Sequence, residues 1–88
     1  MIKDLRIRLK RCEPYLIERD LLPKLYFRED ENNTEKWIFK YAFLMGHTDE
    51  TISVRLNYYS RQAINRKMQQ ILESNRTLIE EFLTSLNK

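Results

Sequence analysis

The chain has 88 residues, a length that predicts one domain with a limited hydrophobic core. Its net charge of +3, with 42% hydrophobic and 33% charged residues, is typical of a soluble globular protein. No apolar run approaches the ~18 residues of a membrane span, and the first residues lack the apolar core of a signal peptide. The only cysteine, Cys12, has no partner for an internal disulfide. These features argue against a membrane or secreted protein, and we expect a cytoplasmic one.

The composition also favours helix over sheet, since the chain has one glycine, two prolines and abundant Leu, Ile, Lys, Arg and Glu. We therefore predict an all-α fold of five to six helices. Residues 1–88 form a single domain, in which 1–46 support a helix-turn-helix at 47–73 and 74–88 form a packing or dimerisation helix.

The supporting region begins with a helix at residues 2–11, in which Ile2, Leu5 and Leu9 form one apolar stripe. The rest of this helix is basic, which fits either a solvated surface or contact with phosphates. Pro14 suits the first turn of a second helix, and Pro23 should end or kink that helix near its residue 22. Its buried side should comprise Leu16, Ile17, Leu21 and Leu22.

A polar loop at residues 28–34 precedes the most apolar helix, at 35–45. Asn32 is a candidate N-cap because Glu35 follows three residues later as in a capping box, and Asn33 or Thr34 are the alternatives. Trp37, the largest side chain, should anchor the core. Gly46 stands where a helix would end in a left-handed conformation.

Two helices and a tight turn are predicted next. Thr48 or Asp49 caps the first helix, whose Ile52 and Leu56 should face inward, and Asn57 can close it with a positive φ. Tyr58 and Tyr59 form the turn, and Ser60 caps the second helix. The buried stripe of that helix should contain Ala63, Ile64, Met68, Ile71 and Leu72.

The opposite side of the second helix, at 61–72, has the composition expected of a helix that lies in a DNA groove. No acidic residue occurs between Glu50 and Glu73, although the chain is otherwise rich in acids. Arginine pairs with guanine and asparagine or glutamine with adenine, which predicts base contacts by Arg61, Gln62, Asn65, Arg66 and Gln69. The predicted phosphate contacts are Ser60, Lys67, Arg55 and Tyr58.

The order of residues in this stretch also matches a known pattern of a glycine, a capping Thr, an acid, an Ile, a Leu, a Tyr-Ser pair and arginines. The positions are Gly46, Thr48, Glu50, Ile52, Leu56, Tyr59, Ser60, Arg61 and Arg66. The stretch resembles the C-terminal helix-turn-helix of sigma-factor region 4, and still more the small phage-encoded activators of late genes. The family has glycine where Asn57 stands, and its turn is one residue shorter. The resemblance implies a DNA-binding transcription regulator of phage origin.

The C-terminal residues have apolar side chains in steps of three and four, with Asn75 among them. One interpretation is a continuous coiled coil with Asn75 as a polar residue in the seam. The other, which we prefer, is a break at Ser74 or Asn75, either of which caps a last amphipathic helix. Its apolar residues either close the monomer core or form a homodimer interface, and we assign dimerisation to Ile79, Phe82, Leu83 and Leu86.

No phosphate-binding glycine loop, metal-ligand cluster or nucleophile–base pair is visible, so we expect no enzyme, no cofactor and no metal. The predicted partner is double-stranded DNA, and RNA polymerase is a further candidate. The leading hypothesis is a sequence-selective transcription regulator. The alternatives are a small protein-interaction module that binds RNA polymerase or a host factor, and a DNA-recognition component of phage packaging.

Overall fold

The computed structural model describes residues 2–57 and 60–86, and the regular structure in these ranges is helical, as the composition predicts. The predicted roles of Tyr58 and Tyr59, and the side chain of Ile2, lie outside the described part. The helices are α1 (Ile2–Lys10), α2 (Pro14–Leu16, continued by Ile17–Leu21 and Leu22–Lys24), α3 (Thr34–Phe43), α4 (Asp49–Leu56), α5 (Arg61–Ser74) and α6 (Arg76–Ser85). None of them is long and apolar enough to cross a membrane.

Helix α2 changes its winding because of Pro23. The amide of Leu22 donates to the carbonyl of Ile17, five residues earlier, and a 3₁₀ turn then contains the proline. A proline ring crowds the carbonyl four residues before it and offers no N–H, so a regular α-helix cannot continue through it. Ile17 and Leu21 are buried, as predicted, while Leu16 and Leu22 are half-buried against the same core.

Helix α3 begins at Thr34, and the residue that caps it is Asp30. The Asp30 carboxylate accepts hydrogen bonds from the amides of Asn32 at 3.0 Å and Thr34 at 2.9 Å. These bonds lower the pKa of Asp30, the one from Thr34 most. The predicted capping box is wrong, because the buried Glu35 instead accepts from the amide of Arg28 at 2.9 Å. Asn33, one of the predicted alternatives, occupies the N-cap position at φ 52°, but its side chain forms no capping hydrogen bond.

The core of α3 differs from the prediction. Trp37 is 37% exposed and lies beside Tyr41, with ring centroids 5.4 Å apart and the Lys40 ammonium 4.5 Å above its ring. The side chains that fill the core are Ile38, Phe39, Ala42 and Phe43. Phe39 is fully buried, and its ring centroid is 4.8 Å from that of Phe43. Trp37 as core anchor is therefore wrong.

Helices α5 and α6 are separate, as preferred above, and α6 closes the core of its own chain. Ile79 is fully buried, and Phe82 and Leu83 are 7% and 5% exposed. The sequence interpretation assigns dimerisation to these three residues, and their side chains are covered within one chain, which favours the alternative that α6 closes the monomer core. Leu86, the fourth residue of that set, is 38% exposed.

Asn75 links the break between α5 and α6 to the distant loop before α3. Its side-chain oxygen accepts from the amide of Tyr26 at 2.7 Å, and its Nδ2 donates to the carbonyls of Tyr26 at 2.8 Å and Ile71 at 2.9 Å. The side chain is 2% exposed. Asn75 occupies the N-cap position of α6, as the preferred interpretation predicts, but its side chain forms no capping hydrogen bond with α6. The coiled-coil interpretation is wrong, because the helix breaks at this residue.

Candidate nucleic-acid interface

Helix α4 has the start and end that the sequence predicts. The Thr48 hydroxyl accepts from the amide of Thr51 at 3.2 Å, and Asn57 ends the helix in a left-handed conformation with φ 73°. Gly46 has φ 71°, which also confirms its predicted conformation. Ile52 is fully buried and Leu56 half-buried against the core. The helix is therefore fixed on one side and capped at both ends.

Helix α5 follows directly and packs against α4 and α3. The Ser60 hydroxyl accepts from the amide of Ala63 at 3.1 Å, which confirms the predicted cap. The predicted inward stripe is correct, because four of its members are buried and Ala63 is half-buried. The buried four are Ile64, Met68, Ile71 and Leu72. Their burial fixes the rotation of α5, and thereby decides which side chains face solvent.

The outward side of α5 carries all five residues predicted to contact bases. Arg61, Gln62, Asn65, Arg66 and Gln69 are exposed. Three of them, Arg61, Gln62 and Arg66, form no hydrogen bond or ion pair with any other residue of the described ranges. Donor groups in this state are free to bind an external acceptor without breaking an internal bond.

Asn65 and Gln69 are engaged within the protein. Gln69 Nε2 donates to Asn65 Oδ1 at 3.1 Å, and Asn65 Nδ2 donates to Asp49 Oδ2 at 3.4 Å. Asp49 also forms an ion pair with Arg6 of α1, and both of these side chains are largely covered. The network joins α1, α4 and α5. It therefore separates the five candidates into three unpaired side chains and two that are held by the fold.

Arg6 and Asp49 are the residues that the sequence interpretation missed. Asp49 was considered only as a helix cap or as an acid at the positive end of α4. Its ion pair bridges 43 residues of chain, and no local pattern indicates a contact over that distance. The sequence offers one signal. Arg6 lies between the buried Leu5 and Leu9, three residues before Leu9, so it borders the packed face of α1.

The residues predicted to contact phosphates differ in their exposure to solvent. Ser60 and Arg55 are exposed, whereas Lys67 is half-buried. Tyr58 lies outside the described residues. Ser60 stands at the amino-terminal end of α5, where the helix dipole favours an anion. Arg55 lies in the last turn of α4, two residues before Asn57 ends the helix.

The acids of the chain do not neutralise the outward face of α5. Within the described ranges, Glu73 pairs with Arg76 at 3.2 Å, and other ion pairs join Arg6 to Asp49, Arg8 to Asp4 and Arg19 to Asp20, none of which involves the arginines of α5. Neither the acids at 29–31 nor those of α6 form an ion pair with the arginines of α5 in this part of the structure. The face therefore keeps its positive charge.

Features that would suggest other chemistry are weak. No group of three or more His, Cys, Asp or Glu residues with metal-site geometry occurs among the described residues. The ring of His47 stacks on Tyr41, with centroids 5.6 Å apart. Burial raises the pKa of the Cys12 thiol, against the smaller opposing effect of Arg8, so the thiol stays protonated and is a poor nucleophile at neutral pH.

Comparisons with protein-family models, with curated proteins and with solved structures found no match to this chain. The resemblance to sigma-factor region 4 thus stays a prediction. The function has to be inferred from the surface of α4 and α5.

Proposed function

We propose that the protein is a sequence-selective DNA-binding regulator of transcription, of the phage type that its sequence resembles. In this proposal α5 enters the major groove and α4 lies across it as the first helix of a helix-turn-helix. The observation that carries the proposal is the outward side of α5, where Arg61, Gln62 and Arg66 are exposed and unpaired and where no carboxylate precedes Glu73.

The chemistry of these side chains suits the edges of base pairs. Arg61 and Arg66 each offer a guanidinium fork that matches the O6 and N7 acceptors of guanine, and Gln62 offers an amide that matches adenine. A solvated helix face without such a task usually mixes Glu with Lys, since pairs four residues apart stabilise the helix. The outward face of α5 has no acid before Glu73 and therefore lacks the stabilisation that such pairs provide. We therefore assign base reading to Arg61, Gln62 and Arg66 first.

Asn65 and Gln69 have a second role in this proposal. Asn65 donates one N–H to Asp49 and Gln69 donates one N–H to Asn65, so turning either amide toward a base exchanges an internal hydrogen bond for an external one. A net hydrogen bond contributes only about 1 kcal/mol, so such an exchange is feasible but reduces the gain in affinity. The two residues are thus weaker contributors to sequence preference than the three unpaired ones.

The backbone of the DNA would be held by groups around the start of α5. Ser60 and the first amides of α5 can bind one phosphate, and Arg55 at the end of α4 a neighbouring one. These contacts position the helix and carry no sequence information. The proposal therefore predicts two kinds of affinity loss. Substitution of a base-reading residue weakens binding in a way that depends on the DNA sequence, and substitution of a phosphate-binding residue weakens binding to all sequences alike.

The direct test selects bound fragments from a random pool of duplex DNA. The affinity of the protein for the most enriched sequence is then measured at several salt concentrations. We expect an enriched sequence and an affinity that falls with salt, with a log–log slope of about −0.9 for each phosphate neutralised. Arg55→Ala should weaken the selected duplex and a scrambled duplex by the same factor. A pool without enrichment, together with salt-independent retention, would contradict the proposal.

A second candidate is a protein-interaction module that binds RNA polymerase or a host factor. It is favoured by one observation, the exposure of Val54 on α4, of which 72% is accessible, and of Met45 before it, at 49%. Apolar groups left in water near a binding surface are common where a protein partner docks. Such binding depends little on salt, so the titration above also separates the two candidates.

A further inference from the structure

The side of α1 that faces α5 forms an open groove with it, and the groove is basic. Its volume is about 430 Å³. Lys3, Arg6 and Lys10 line one wall, the amides of Asn65 and Gln69 line the other, and the apolar floor is formed by Ile7, Met68 and Leu72. The residues of each wall are three or four apart, so each set lies on one side of its helix.

The charges in the groove are not equivalent. Arg6 is paired with Asp49, and this pair leaves no net charge. Lys3 and Lys10 are exposed, and neither forms an ion pair with a described residue. The groove therefore presents two unneutralised ammonium groups next to the helix that we propose reads DNA.

The spacing of the two lysines fits a polyanion. They are seven residues apart, which corresponds to about 10 Å along the axis of α1. Phosphates of one DNA strand advance about 3.4 Å along the duplex axis, so the two ammonium groups would meet different phosphates a few nucleotides apart.

We infer that the groove between α1 and α5 is a second phosphate-contact surface, in which Lys3 and Lys10 bind the DNA backbone beside the major groove that α5 occupies. This inference rests on the proposed function. It assigns to α1 one of the two roles that its sequence leaves open. The Arg6–Asp49 pair fits this inference, because Arg6 neutralises the Asp49 carboxylate and the pair adds no negative charge beside the groove.

The test uses the double variant Lys3→Gln/Lys10→Gln and a matched control, Lys24→Gln/Lys36→Gln. The control lysines are exposed, lie outside the groove and remove the same charge. Both variants should keep the thermal unfolding midpoint of the wild-type protein. We expect the groove variant to reduce the salt slope by about 1.8, which corresponds to two phosphates, and to leave the selected sequence unchanged.

The control should keep the wild-type slope, because charges farther away than a Debye length of about 8 Å are screened at physiological salt. If the wild-type protein binds DNA and the groove variant matches the control, the inference is overturned while the proposed function stands. If the wild-type protein binds no DNA at any salt concentration, the proposed function fails and the inference with it.

Discussion

Asn75 is the most deeply buried polar side chain in residues 2–57 and 60–86, at 2% exposure. It pairs with both backbone groups of Tyr26 and with the carbonyl of Ile71. Without Asn75, the backbone groups of Tyr26 in the loop before α3 would lack these partners, and each unsatisfied backbone group lowers the stability of the fold. One amide side chain therefore joins the loop before α3 to the break between α5 and α6.

We predict that Asn75→Ala lowers the free energy of unfolding by about 2–3 kcal/mol, because both partly buried backbone groups of Tyr26 lose their hydrogen-bond partner. Urea unfolding followed by circular dichroism measures the change. Gln70→Ala, at an exposed position of α5 without a hydrogen bond, is the control and should stay within about 0.5 kcal/mol of wild type. Equal stability of the two variants would mean that Asn75 does not hold the loop.

Single residues were predictable from the sequence where their partners are close in the chain. Thr48, Asn57 and Ser60 act on groups within four residues, and propensity and capping rules are rules about such distances. Asn75 and Asp49 contact groups that are 49 and 43 residues away. Their roles depend on which helices pack together, and no local pattern contains that information.

At the scale of elements, the hydrophobic pattern gave the inward face of α5 correctly but not that of α3. Helix α5 has one apolar stripe, so only one rotation buries it. Helix α3 has two, one through Trp37 and Tyr41 and the other through Phe39 and Phe43. Periodicity cannot choose between them. Tertiary packing does, because Phe39 and Phe43 meet each other and the ring of Phe27.

Helix α6 shows the same ambiguity between a core and an interface. An apolar stripe predicts that it will be covered, and the covering surface can belong to the same chain or to another. The structure places Ile79, Phe82 and Leu83 in the monomer core.

We predict that Phe82→Ala lowers the free energy of unfolding by about 3–4 kcal/mol, because it leaves a cavity in the core. Thr84→Ala, at an exposed position of the same helix, should change it by less than about 0.5 kcal/mol. Thermal and urea unfolding give both values, and sedimentation gives the mass. A Phe82→Ala protein with wild-type stability and half the wild-type mass would show instead that α6 is an interface.

At the scale of the whole molecule, basic and acidic residues concentrate in different elements. Unpaired basic groups occur on α1 and α5, while acids concentrate in the loop at 29–31 and on α6. The sequence predicted this polarity and could not predict that α1 lies beside α5, since that contact is made by the core residues of both helices. The packing of α1 against α5 turns two separate basic segments into one surface.

The account depends most on the claim that Arg66 and its neighbours on α5 reach base edges in the major groove. Dimethyl sulfate methylates guanine N7, which lies in that groove, so protection from methylation on the selected duplex reports the contact directly. We predict that the wild-type protein protects guanines within the selected site, and that Arg66→Ala loses protection at one of them while the rest of the footprint persists. Unprotected guanines, or a pattern that Arg66→Ala leaves unchanged, would contradict the claim.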